Sequence, residues 1–192
     1  MLNPKLFCIL GMCLSGGAVM AQQTAPGNVA TALEMPSHRS LQSVISGEDA
    51  ALAPFTTDGC SGGLSEVWGL VAHTFPGFSK RYSTEPPWEQ CCVTHDRAYH
   101  DAGGAETADE SFEARLTADR ALQVCVVKTG EVELPAMVAE FDVSPETVRS
   151  AYDTIAGAMY LAVRFGGAPC SGLPWRWGYG YAQCSVLTGA FD

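Results

Sequence analysis

Ten residues constrain this chain more than any others: Cys91-Cys92-Val93-Thr94-His95-Asp96-Arg97-Ala98-Tyr99-His100. Pro86-Pro87-Trp88 precede them and Gly103-Gly104 follow. Proline near the start and glycine past the end are the punctuation of a helix, which predicts one from about Pro86 to Ala102. At helical spacing Cys91, Cys92, His95 and Tyr99 fall on one side. An imidazole, a phenol and two adjacent cysteines sharing one face, with a carboxylate beside them, are poor material for a plain hydrophobic core.

The flanks place this helix in an exported chain. Residues Met1 to Ala21 read as a signal peptide, with Lys5, an apolar run from Leu6 to Leu14, and Val19-Met20-Ala21 before Gln22. A lipoprotein reading through Cys13 is disfavoured by the bulky Met12 before it. Cleavage after Ala21 would leave Cys60, Cys91, Cys92, Cys125, Cys170 and Cys184. An even set in an exported chain points to disulfides and to a secreted or periplasmic location, and any of the fifteen pairings that six cysteines allow stays open. With 21 acidic against 11 basic residues, the chain is a poor partner for nucleic acid or anionic lipid headgroups.

Residues 22–36 read as a loose leader, and 37–192 as one domain. Ser37 to Leu52 shows weak helical spacing, with His38 read as a surface residue. Asp58-Gly59-Cys60-Ser61-Gly62-Gly63 is a glycine-rich turn, and Leu64, Trp68, Val71 and Phe75 suggest a short amphipathic helix in which His73 is structural. Glu106 to Lys128 reads as a long helix buried through Phe112, Leu116, Leu122, Val124, Val126 and Val127, with Gly130 as its stop. Leu134 to Phe141 is a short separate piece. Ser144-Pro145-Glu146 opens a last helix to about Phe165, ended by Gly166-Gly167. In the tail, Trp175, Trp177, Tyr179 and Tyr181 recur at the period of an extended strand. They read either as an aromatic flap on the helices or as a row of interfacial rings.

His95 is a candidate general base, since its intrinsic pKa lies near neutrality. Asp96 lies about 100° round the helix from it and suits a hard cation better than the imidazole. The glycines of the Gly59–Gly63 turn allow backbone carbonyls to curl inward.

Cys-Cys-x-x-His-Asp-x-x-Tyr, preceded by a Cys/Gly-rich loop, resembles the secreted phospholipase A2 superfamily, closest in style to its helix-only bacterial and fungal members. Asp119-Arg120-Ala121-Leu122-Gln123-Val124-Cys125 resembles the second helix of that family. The resemblance implies a mostly α fold with two antiparallel, disulfide-linked core helices, here extended by a C-terminal helix and an aromatic tail. It implies His95 as base, Asp119 orienting it and Tyr99 bonding Asp119. It also implies calcium held by Asp96 and the carbonyls of Gly59, Ser61 and Gly63, with the N–H of Ser61 facing the developing oxyanion. Cys60–Cys92 and Cys91–Cys125 follow from the same alignment, leaving Cys170–Cys184. The activity implied is calcium-dependent hydrolysis of a phospholipid acyl ester at a membrane or micelle surface, releasing fatty acid and lysophospholipid. A catalytically silent calcium- or membrane-binding protein on the same fold is the alternative. A zinc module of Cys91, Cys92, His95 and His100 is a third reading, which the adjacent cysteines disfavour. The chain departs from the family at Ala98 and Ala118, where animal members carry a further disulfide, at Ser61, where glycine is usual, and in a longer stretch between Cys60 and Cys91. The resemblance covers about Asp58 to Lys128.

Overall fold

The computed structural model describes residues 26–60 and 85–185. The stretch read as a signal peptide and the whole segment from Ser61 to Thr84, with the helix expected through Leu64 to Phe75, His73 and the carbonyls of Ser61 and Gly63, lie outside the described residues.

Among the described residues the chain forms α1 (Pro26–Ile45), α2 (Glu89–His100), a 3-10 turn (Ala102–Gly104), α3 (Ala108–Phe141) and α4 (Pro145–Gly166), with no strand. Local chemistry accounts for the ends. Thr107 caps α3 by accepting from the Glu110 N–H, while the Glu110 carboxylate returns to the Thr107 N–H at 3.1 Å. Ser144 caps α4 by accepting from the Thr147 N–H at 3.2 Å, with Pro145 in the first turn.

Helices α2 and α3 run antiparallel, because Cys91 pairs with Cys125, His95 with Asp119, and Tyr99 with Arg115. Helices α3 and α4 form a second antiparallel pair, fixed by Glu131 against Arg149 and Asp119 against Arg164. Theirs is the most extensive interface, and α1 also packs on α3. One buried cluster joins Trp88, Leu122, Val126, Tyr152, Ala156 and Met159, and a second joins Leu41, Tyr99, Ala102 and Trp177. Three disulfides close the fold: Cys60–Cys92, Cys91–Cys125 and Cys170–Cys184. No helix among the described residues is long and apolar enough to cross a membrane.

Four expectations are corrected. The stretch read as a loose leader belongs largely to α1, which begins at Pro26 and passes through Pro36. His38 on that helix is fully buried: its Nδ1 lies 2.8 Å from Ser111 Oγ, which also accepts from Trp177 Nε1. Gly130 does not stop α3, which continues through Pro135 to Phe141 and ends where Asp142 turns left-handed at φ 53°. A Cβ on Gly130 would lie 2.4 Å from Tyr152 Cγ, so the glycine serves the close approach of α4. Val124 is half exposed, on the outer face of α3.

The tail is not a strand either. Trp177 is fully buried, and the backbone around it closes the end of α2. Gly178 N–H donates to the Tyr99 carbonyl at 2.6 Å, and Gly180 N–H donates to that of His100 at 2.9 Å. These carbonyls belong to the last turn of α2, beyond which the regular helical ladder of donors stops. The alternation of aromatic and glycine thus lets a turn press against a helix terminus while Trp177 fills the core. The flap reading holds for Trp177. Trp175 is half-buried at the edge of a cleft.

Candidate active site

Helix α2 buries Cys91, Cys92, His95 and Tyr99 on the face expected of them. His95 Nε2 lies 2.9 Å from Asp119 Oδ1 on α3, and Tyr99 Oη donates to the same oxygen at 2.7 Å. A carboxylate only accepts, so Nε2 carries a ring proton, and in the neutral imidazole Nδ1 is the nitrogen with the lone pair. Nδ1 has no hydrogen-bond partner among the described residues. The Tyr99 ring stacks at a tilt on His95, with centroids 4.1 Å apart, and meets the edge of Trp177 at 4.9 Å. His95, Asp119 and Tyr99, the three residues assigned to the reaction, are therefore brought together.

Asp119 is fully buried. Burial by itself would raise its pKa, but the hydrogen bonds from His95 and Tyr99 and the charge of Arg115 outweigh it and hold the carboxyl below its ordinary range. Burial pushes the Tyr99 phenol well above its ordinary value, so it serves as a hydrogen-bond donor.

Groups that sequence reasoning missed complete the surroundings. Arg164, in the last turn of α4, donates through Nη1 to Asp119 Oδ2 at 3.0 Å. Its Nη2 donates to Glu34 Oε1 on α1, and Glu34 Oε2 accepts from Arg115 Nη1. Arg115 donates through Nε to Tyr99 Oη at 3.3 Å and through Nη2 to the carbonyls of Val163 and Arg164. Arg115 carried a signal, standing one helical turn before Asp119 on the same face. Glu34 and Arg164 carried none, because they sit 130 residues apart on helices outside the motif.

On the other side of His95 lies the Thr57–Cys60 turn. Tyr179 Oη donates to the Thr56 carbonyl at 2.6 Å, and the Arg97 guanidinium lies 4.1 Å from the centre of the Phe55 ring. Together with Cys60–Cys92 these contacts press the turn against α2. Thr57 Oγ1 donates to Asp96 Oδ2 at 2.6 Å and accepts from Gly59 N–H at 3.0 Å, so Thr57 ties Asp96 of α2 to the turn that carries Gly59. The Glu89 carboxylate covers the space beside Gly59, accepting from Cys60 N–H at 3.3 Å. Burial raises both the Asp96 and Glu89 carboxyls, and the charge of Asp58 raises them further.

Oxygen donors and surplus negative charge suit a hard cation, so Asp96 and Gly59 fit the calcium role assigned to them. Among the described residues, however, no three His, Cys, Asp or Glu side chains converge enough to hold a metal ion by themselves. The disulfides also consume Cys91 and Cys92, which removes the thiolates a zinc module would need.

A cleft of about 50 Å³ opens here. Its lining mixes polar residues, His95, Asp96 and Asp58, with the apolar Leu122, Met159, Val163 and Trp175. Such a cleft can hold a water between an imidazole base and a polarisable group, beside apolar side chains. No family model, no curated protein and no solved structure matches this chain.

Proposed function

We propose that the protein is an exported, calcium-dependent phospholipid acyl-ester hydrolase on a fold of phospholipase A2 type. One observation carries this reading: His95 is bonded through Nε2 to a buried, ionised Asp119, has no partner for Nδ1 among the described residues, and lines a cleft that mixes polar and apolar residues. In the reaction, His95 Nδ1 takes a proton from a water as that water attacks the ester carbonyl carbon. Asp119 holds the ring in the required tautomer and balances the imidazolium that forms. The acyl C–O bond then breaks, the proton passes from His95 to the departing lysophospholipid oxygen, and fatty acid leaves. Tyr99 keeps Asp119 Oδ1 aimed at His95. Asp96, with the carbonyls of Gly59, Ser61 and Gly63, would hold calcium, which supplies Lewis-acid polarisation of the ester oxygen when bound. Three disulfides support a secreted or periplasmic location.

The small volume of the cleft supports a second reading, a catalytically silent calcium- or membrane-binding protein on the same fold. One assay separates the two: fatty-acid release from phospholipid mixed micelles, with calcium and with chelator. The hydrolase releases fatty acid only with calcium, and His95→Gln lowers the rate by about 10²–10⁴-fold. No release by the intact protein, or an unchanged rate in His95→Gln, would leave only the silent reading.

A further inference from the structure

Asp119 is held from two directions, and only one of them belongs to the motif. His95 and Tyr99 occupy Oδ1, while Oδ2 accepts from Arg164. A buried carboxylate whose second oxygen lost its donor would be free to rotate, and rotation would carry Oδ1 away from His95 Nε2. Arg164 is itself fixed. Its planar guanidinium bonds Asp119 through Nη1 and Glu34 through Nη2, so the two carboxylates sit at a set distance and angle. Glu34 completes the frame by bonding Arg115 as well, and the two carboxylates balance the two guanidiniums in charge. Neither Glu34 nor Arg164 lines the cleft, so neither is placed to touch substrate.

We infer that Arg164 and Glu34 are positioning residues for the reaction, holding Asp119 in the rotation that orients His95. The inference rests on the hydrolase reading, and it ties α1 and the last turn of α4 to a His95–Asp119 pair carried by α2 and α3. Glu34 acts at one remove, by holding Arg164.

The test uses the full disulfide-bonded protein with Arg164→Met, Arg164→Lys and Glu34→Gln. Two quantities are read: kcat against KM on mixed micelles, and the proton resonance of the His95 ring N–H, assigned by its absence in His95→Gln. A ring proton bonded to a buried carboxylate resonates far downfield and exchanges slowly. Arg164→Met is expected to lower kcat by about 10- to 100-fold with KM nearly unchanged, and to broaden or shift the ring resonance. Arg164→Lys, which keeps the charge and one bond but not the fork, should recover part of both. Glu34→Gln should move both in the same direction by less. Val148→Ala, which destabilises the core away from this network, should leave kcat and the resonance as they are at temperatures where it is folded. If Arg164→Met folds with wild-type kcat and resonance, the positioning role is wrong. If it does not fold, the same result in both Arg164→Lys and Glu34→Gln overturns it. Should the intact protein release no fatty acid, the hydrolase reading falls, and the ring resonance alone still decides whether Arg164 and Glu34 orient the pair.

Discussion

Arg164 Nη1 reaches Asp119 Oδ2 at 3.0 Å, across 45 residues of sequence, on the oxygen that His95 and Tyr99 leave open. The carboxylate is fully buried, and each of its oxygens has a donor. Removing one partner of such a pair is costly because the other charge stays behind without compensation. Helix α4, which lies beyond the stretch that resembles phospholipase A2, is therefore built into the candidate active site.

Asp96→Asn should separate the metal role from the base role. If the proposed calcium site is occupied, calcium should raise the melting temperature of the intact protein and of His95→Gln by mass action. That gain should disappear in Asp96→Asn together with activity, as followed by thermal melts with calcium and with chelator. An undiminished calcium shift in Asp96→Asn would remove Asp96 from the metal site.

His38 should make the fold acid-sensitive. Burial, and then the charges of Arg115 and Arg164, lower its pKa from 6.5 to about 3. The folded ring therefore stays neutral between those values while the unfolded ring takes up a proton. Its contribution to stability is complete above about pH 6.5 and is lost as pH falls toward about 3, by the order of a few kcal/mol. Urea melts at pH 7 and pH 4 should differ less for His38→Asn than for the wild type. An equal difference would assign the acid sensitivity to other groups.

Gly130→Ala should destabilise, although alanine is the better helix former by about 1 kcal/mol. The added Cβ would meet Tyr152 Cγ at 2.4 Å, and overpacking of this kind costs about 1–3 kcal/mol. A raised melting temperature would mean that α4 stands off from α3 by more than the structure shows.

All six cysteines from Cys60 onward are paired, so the mature protein, cleaved after Ala21, should contain no reactive thiol, and non-reducing peptide maps should recover the three bridges. Replacing Cys170 and Cys184 together with alanine should cost about 3 kcal/mol, the scale for a loop of this length. A Cys91–Cys92 peptide bridge in the maps would overturn the pairing.

The two tail tryptophans should respond differently. Trp177→Ala empties a fully buried site and leaves Ser111 Oγ without the indole donor, so a loss of about 3–5 kcal/mol is expected. Trp175→Ala trims the apolar edge of the cleft and should lower activity on vesicles more than on a soluble short-chain ester, with little change in melting temperature. Equal losses on both substrates would argue against contact between Trp175 and lipid.

The helix of the motif, the N-cap and length of α4, and the face shared by Cys91, Cys92, His95 and Tyr99 were legible in the residues themselves. Each is set within a few turns of chain, by proline and serine at helix starts and by the helical repeat. The partnership of His95 with Asp119 was legible only through resemblance, since spacing along two separate helices says nothing of how they face. What only the tertiary structure decided is whatever depends on an approach between distant elements. Gly130 reads as a stop until Tyr152 is seen against it, because a missing Cβ permits either a helix end or a close contact. The tail reads as a strand until its N–H groups are found on the last carbonyls of α2. Glu34 fell in the stretch read as a loose leader, and Arg115 and Arg164 on two separate helices, with nothing in the sequence to join the three. They join the site because packing takes Asp119 out of water, and a buried carboxylate must then draw its remaining partners from whichever helices lie beside it.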